Sequence, residues 1–225
     1  RGSGLEYVGE ELRMGLPKPY YEEDGIVIYN ADCRDILPHL EKVDLVLTDP
    51  PYGVGMKYGD FYEDDEVKYL DWMLPIVERL RAMSALLLIT TGMRHLWFYP
   101  RPSWVMCWAK PGSTRRNALG GFNEWEPVLV YGKRRIFNDY KYLPDCVNHA
   151  VDTGNHPCPK PIRLYQWLVN VGCDDKATIL DPFMGSGTTL RAAKDLGHKA
   201  IGIEIEEKYC EIAAKRLQQE VFDFK

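Results

Sequence analysis

Ala177-Thr178-Ile179-Leu180-Asp181-Pro182-Phe183-Met184-Gly185-Ser186-Gly187-Thr188-Thr189 decides how this chain is read. An apolar run ends at an acid and a proline, passes two glycines one residue apart, and enters a helical pattern, Thr188 to Leu196, that Gly197 closes. Strand, glycine turn and helix in that order form a ligand-binding corner of an α/β sheet, where ligands gather at the carboxyl ends of strands. The glycines let backbone approach a ligand closely, and the helix start offers unpaired N–H groups. A phosphate loop is excluded because the Lys of a Walker A motif is missing, and so is the third glycine of a dinucleotide fingerprint. A Gly-x-Gly by itself is equally compatible with a plain turn. Asp181 at the strand end suits a cationic amino group, as in an amino-acid-like ligand, better than a pyrophosphate.

Working outward, the next strand ends at Gly202-Ile203-Glu204-Ile205, and an acid at that point commonly receives ribose hydroxyls. Glu204 also reads as a solvated acid in a helix cap with Glu206 and Glu207. Further apolar runs at Ile26 to Tyr29, Val43 to Leu47, Ala85 to Ile89, Trp104 to Trp108 and Val128 to Tyr131 predict buried strands. Between them lie helical patterns. Val67, Leu70, Met73, Leu74, Val77 and Leu80 recur every three or four residues, with Pro75 among them, and Ile162 to Val171 and Tyr209 to Leu217 have the same period. The alternation predicts an α/β fold: a mostly parallel, Rossmann-like sheet with helices on both faces. Trp104 to Tyr131 has no helix between its two runs and predicts an antiparallel pair at one edge. Arg134 to Pro159, rich in Asn, Asp, Pro and His, predicts an irregular insertion.

Composition fits this picture. The 225 residues carry a net charge of −5, with 45% hydrophobic and 27% charged residues, which excludes disorder, collagen and coiled coil. The longest apolar runs are far short of the roughly 20 residues a membrane-crossing helix needs, so no membrane partner is expected. Six scattered cysteines in a chain of this size favour a reduced, cytoplasmic protein over a disulfide framework. Arg1-Gly2-Ser3-Gly4 resembles a cloning remnant, and residues 1–23 are expected to be a tail before one domain at 24–225. Charge is uneven: Lys110 to Lys141 holds seven basic residues against three acidic ones. Asp60 to Asp71 holds six acidic residues against Lys68, and reads as a solvated loop and helix start.

The second informative stretch is Asp44-Leu45-Val46-Leu47-Thr48-Asp49-Pro50-Pro51-Tyr52-Gly53, a strand running into an acidic turn. Two prolines fix φ near about −65° and remove two N–H donors, so carbonyls face a ligand. The exocyclic amino group of a nucleobase is a poor nucleophile, because its lone pair is delocalised into the ring. The Asp49 carboxylate and the Pro50 carbonyl could hold its hydrogens and favour the pyramidal nitrogen that in-line displacement requires, while Tyr52 could stack on the ring. A rigid strand exit is the plainer alternative.

Together these elements resemble the amino-group DNA methyltransferases, which transfer methyl from S-adenosylmethionine to adenine N6 or cytosine N4. The family's catalytic tetrapeptide matches Asp49, Pro50, Pro51 and Tyr52. Its cofactor loop matches Asp181, Pro182, Phe183, Gly185, Ser186, Gly187, Thr188 and Thr189, and its acidic ribose ligand Glu204, with Ile205 beside it. His156-Pro157-Cys158-Pro159-Lys160-Pro161 is similar to a His-Pro-x-x-Lys-Pro element, which adds His156 and Lys160 to the cofactor residues. Asn30-Ala31-Asp32-Cys33 is similar to a segment whose acid meets the cofactor's adenine, which adds Asp32 and Cys33. Ala31 stands where Gly is common and Cys158-Pro159 where Thr-Gln is common. Because the catalytic turn precedes the cofactor loop, the order is that of the circularly permuted beta class, with the recognition region between the two motifs at about residues 112–155. The resemblance implies double-stranded DNA as partner, with Arg115, Arg116, Lys133, Arg134, Arg135 and Lys141 as the DNA-binding cations, and it allows a homodimer.

The implied reaction flips the target base and needs neither a metal nor a covalent intermediate. Asp49 favours adenine N6, since enzymes acting on cytosine N4 more often carry Ser there; cytosine N4 stands as the alternative. Ring-carbon methylation through Cys158 solves a different chemical problem from the one the Asp49 turn solves. Cys146, His149, His156 and Cys158 could be read as four zinc ligands, but His156 already has a place in the family element. An RNA or protein amide methyltransferase usually starts the turn with Asn, and a non-catalytic subunit usually lacks some of these positions.

Overall fold

Asp24 and Gly25 both have positive φ, 51° and 78°, and close a two-residue hairpin between β1 (Tyr21–Glu23) and β2 (Ile26–Asn30). The computed structural model describes residues 15–51, 66–93, 96–113, 116–133, 144–150 and 160–219. Asp32 caps a short helix, α1 (Cys33–Ile36), by accepting from the Arg34 N–H at 2.9 Å. Then follow β3 (Val43–Thr48), α2 (Glu66–Met83), β4 (Ser84–Thr90), β5 (Trp104–Ala109), β6 (Trp125–Gly132) and β7 (Cys146–Asn148). The chain continues through α3 (Ile162–Gly172), β8 (Thr178–Asp181), α4 (Thr188–Asp195), β9 (Lys199–Glu204) and α5 (Glu207–Gln218).

Among the described residues the strands form one sheet in the order β1-β2-β9-β8-β3-β4-β6-β5-β7. β2, β9, β8, β3 and β4 are mutually parallel; β6 runs against β4 and β5, and β1 against β2. Alternate residues of each strand enter opposite cores, as the pleat requires. Leu45, Leu47, Leu86 and Leu88 pack with Leu164, Leu168, Leu190 and Ala213 from α3, α4 and α5. Val46, Leu87 and Ile89 pack with Tyr69, Met73, Val77 and Leu80 from α2. Pro75 lies on the exposed side of α2, so the helical hydrogen bond it cannot donate is lost on the solvent side rather than in the core.

The chain leaves β3 through α2 for β4 on one side, and leaves β8 through α4 for β9 on the other. β3 and β8 are neighbours, so the strand order reverses between them. That reversal opens a crevice at their carboxyl ends, the point where open α/β sheets bind ligands.

The seven strands expected from the apolar runs all form, and the antiparallel pair β5–β6 forms where the missing helix predicted it. Three expectations change. Residues 1–23 are not all tail, because Tyr21–Glu23 joins the sheet as an antiparallel edge. The stretch 112–155 is not one insertion, because β6 within it is a buried strand beside β4. β7 pairs in parallel with β5, a pairing that three residues without alternation do not announce.

Candidate active site

Asp49 directly follows β3 and Asp181 ends β8, so both lie at the crevice, and the residue before Asp49 ties them together. Thr48 Oγ1 donates to Asp181 Oδ1 at 2.7 Å, Thr189 Oγ1 donates to Asp181 Oδ2 at 2.5 Å, and the Phe183 N–H reaches Oδ1 at 3.1 Å. Asp181 is 3% exposed, and burial pushes its pKa up to about 7 against the opposing pull of those three donors. The Asp181 side chain therefore clamps the glycine loop to β3.

The loop turns tightly on its own backbone bonds. The Gly187 N–H closes on the Met184 carbonyl at 2.9 Å, and Gly187, with φ 78°, starts α4 in the left-handed region. Glu204 Oε2 accepts from the Gly185 N–H at 3.0 Å and Oε1 from the Glu206 N–H at 2.9 Å; desolvation raises its pKa. Around these, Pro182 and Thr189 are buried and Ser186 is half-buried. Phe183 packs on Trp72 at 5.5 Å, and the Thr188 hydroxyl accepts from Arg216 at 3.0 Å. Ile205 is 44% exposed beside Glu204.

β2 brings the third segment to the same edge. The Ala31 N–H donates to the Glu204 carbonyl at 3.1 Å, and the Asn30 side chain donates to the carbonyls of Glu204 and Ile205, both at 3.0 Å. Asp32 lies next to them, its pKa lowered chiefly by its hydrogen-bonded pairing with Arg34; Cys33 is buried, its thiol pushed up to about 12 by desolvation. Asp32, Asp49, Asp181 and Glu204 thus share one edge, with Phe183 and Ile205 between. Carboxylates, apolar surface and the open space beside Gly185, where no atom lies within 4 Å of an added Cβ, fit a cationic amino-acid nucleoside.

Lys160 stands at the Asp49 turn. Its Nζ is 2.6 Å from Asp49 Oδ1, and Thr90 Oγ1 meets the same oxygen at 2.5 Å. Around them lie buried Glu126, ion-paired with buried Lys110, and the buried Tyr165, whose hydroxyl is pushed well above its usual pKa by burial and the nearby Asp49. Thr48, Thr90, Lys110, Glu126 and Tyr165 are the site residues missed by sequence reasoning. The signal for two of them was present, since Thr48 and Thr90 each close an apolar strand run with a hydroxyl.

The two expected cations that lie among the described residues stand at different edges of the sheet. Arg116 lies in the β5–β6 hairpin beyond the carboxyl edge, donating to the Gly120 carbonyl at 2.8 Å with its guanidinium 5.7 Å over Phe122. Lys133 follows β6 at the opposite edge, since Gly132 pairs with Leu86 while Val128 pairs with Thr90. Tyr52, Arg115, Arg134, Arg135, Lys141, His156 and Cys158 lie outside the described residues. Among the described residues no group of three or more His, Cys, Asp or Glu could hold a metal ion, and no helix is long and apolar enough to cross a membrane.

The model of the N6/N4 DNA methylase family matches residues 125–215, from β6 into α5. YubD of Escherichia coli, which carries a methylase name, is 30% identical over 208 residues that span 83% of this chain and 88% of YubD. The chain belongs to the amino-group DNA methylases. The methylase has the beta-class order, with the Asp49 turn ahead of the glycine loop. The DNA adenine methyltransferase YhdJ of Escherichia coli is 25% identical to it over 258 residues, 92% of this chain and 87% of YhdJ. Among solved structures, the M1.HpyAVI–SAM complex has a TM-score of 0.67 at 26% identity, covering 86% of the methylase and 100% of that chain. The cytosine-N4-specific PvuII DNA methyltransferase, at 16% identity and TM-score 0.71 over 92% of the methylase and 91% of its own chain, shares the fold.

Proposed function

We propose that this methylase transfers the methyl group of S-adenosylmethionine to the exocyclic N6 of an adenine turned out of double-stranded DNA. The observation that carries the reading is the Thr48–Asp181 hydrogen bond, which fixes the Asp49 turn beside the glycine loop at the strand-order reversal. Bound S-adenosylmethionine supplies an electrophilic methyl group on a sulfonium centre.

The chain's own residues supply the rest. Asp32, Glu204 and Ile205 receive the nucleoside end, and the backbone of Gly185 to Gly187 receives the amino-acid end. Asp181 holds that loop in place through Thr48 and Thr189 rather than meeting the ligand itself. Asp49 accepts a hydrogen of the amino group, and the Pro50 carbonyl accepts the other, so the nitrogen lone pair turns out of conjugation toward the methyl group. Both acceptors are pre-set before the base arrives, Asp49 by its bonds to Thr90 and Lys160 and Pro50 by its ring. After transfer the nitrogen sheds one proton toward Asp49.

Asp49 in place of Ser supports adenine over cytosine, as does the likeness to YhdJ. The hairpin between Lys110 and Glu124 stands beyond the same sheet edge and is the described part of the target-recognition region, with Arg116 on the phosphates. Incubation with labelled S-adenosylmethionine and DNA, RNA or protein tests the reading: label is expected in DNA alone, and label in RNA or protein instead overturns it.

A further inference from the structure

Lys160 is the site residue whose placement departs furthest from expectation. The resemblance gives it to the cofactor, yet its ammonium is 2.6 Å from Asp49, with the Lys160 side chain 10% exposed and that of Asp49 26%. Thr90, at the end of β4, meets the same carboxylate oxygen. Two donors on one oxygen fix the rotation of a carboxylate, which a single surface ion pair does not. Lys160 is itself held from behind. Glu126 Oε2 is 3.9 Å from its Nζ, Glu126 Oε1 is paired with Lys110, and the Trp108 ring receives Lys110 at 5.7 Å and Lys160 at 5.9 Å. Glu126 and Lys110 have side chains 8% and 5% exposed, so these charges interact at low local dielectric, where geometry is tightly determined.

We propose that Lys160 is a positioning residue for Asp49, and that the buried Lys110–Glu126 pair in turn positions Lys160. The inference rests on the proposed function, since it presumes that Asp49 meets the amino group. It assigns the Lys of the His-Pro-x-x-Lys-Pro element to the orientation of the catalytic carboxylate instead of to the cofactor. It also carries the support of Asp49 out to the base of the recognition hairpin, where the Lys110 N–H closes on the Glu124 carbonyl at 2.8 Å. Glu126 belongs to β6 and Lys110 follows β5, outside the glycine loop in sequence, so their effect on rate separates positioning from cofactor contact.

The experiment compares wild type with Lys160→Met, Glu126→Gln and Thr90→Val, measuring kcat and KM on duplex DNA and the S-adenosylmethionine Kd by calorimetry. Misorientation of a reacting group by about 1 Å costs on the order of a hundredfold, so kcat of Lys160→Met is expected to fall by about that factor. Glu126→Gln and Thr90→Val are expected to fall by about tenfold, with the cofactor Kd within about twofold of wild type throughout. A Kd raised tenfold or more in Lys160→Met, with kcat unchanged at saturating cofactor, returns Lys160 to the cofactor and overturns the inference. Should Lys160→Met not fold, Thr90→Val and Glu126→Gln decide alone, and an unchanged kcat in both overturns it. A wild type that methylates no DNA overturns the proposed function as well, whereas an active wild type matched by its variants overturns the inference alone.

Discussion

Thr48 and Asp181 are 133 residues apart in sequence and joined by a 2.7 Å hydrogen bond across the only crevice where the strand order reverses among the described strands. One hydroxyl thereby sets the distance between the Asp49 turn and the glycine loop. Thr189 completes the clamp from the first turn of α4, so both Asp181 oxygens are held.

Removing either hydroxyl should loosen both halves of the site. Thr48→Val and Thr189→Val are each expected to cost about 1 kcal/mol of stability, and the double variant less than their sum because they share Asp181. Denaturant titration of the four proteins measures this; strict additivity would show that the two bonds act independently.

Asp181 makes stability depend on pH in an unusual sense. Its folded pKa of about 7 lies above the ordinary value of 3.8, so between those limits the folded state binds a proton that the unfolded state lacks. Stability from this group is therefore greatest near pH 4 and declines as pH rises through about 7. Asp181→Asn removes the titration. The melting temperature of wild type minus that of Asp181→Asn should fall steadily from pH 4 to pH 8, and a difference constant over that range would contradict the assignment.

Gly187 and Gly197 give a controlled comparison, because both have positive φ, 78° and 75°. A Cβ on Gly187 would sit 2.8 Å from the Ala213 Cβ, whereas one on Gly197 meets nothing within 4 Å. Gly197→Ala should cost about 1 kcal/mol for the backbone alone. Gly187→Ala should cost more than that and also weaken S-adenosylmethionine binding, because the loop must shift. Thermal melts and calorimetry on both variants test it, and equal costs with equal affinities would count against the loop geometry.

Arg116 and Lys133 stand beyond opposite ends of β6, a strand roughly 25 Å long for eight residues at about 3.3 Å each. If DNA lies along the carboxyl edge, Arg116→Gln should weaken binding across sequences and reduce the salt slope by about one. Lys133→Gln should leave that slope unchanged. The reverse pattern would move the DNA to the other edge.

Much of this site is legible in the sequence because its chemistry is local. Leu47-Thr48-Asp49-Pro50 and Leu180-Asp181-Pro182 each state a strand end, an acid and a turn within a few residues. Asp24-Gly25 was equally local, since Asp-Gly between two extended runs marks a two-residue hairpin, and it is the signal that reveals β1. The Lys160–Asp49 pair could not be read that way. The two residues are 111 positions apart, and their meeting depends on how α3 packs against β3 and β4. The placement of Arg116 and Lys133 is hidden for a related reason: charge along the chain does not tell which edge of the sheet an antiparallel strand such as β6 returns to.

The most direct measurement digests DNA methylated by wild type and by Asp49→Ala and identifies the modified nucleoside by mass spectrometry, with cofactor binding followed by calorimetry. N6-methyladenine is expected from wild type, and none above background from Asp49→Ala, whose S-adenosylmethionine affinity should remain within about twofold because Asp49 is assigned to the base. N4-methylcytosine as the main product would contradict the choice of adenine, and an Asp49→Ala protein methylating within tenfold of wild type would contradict the role given to Asp49.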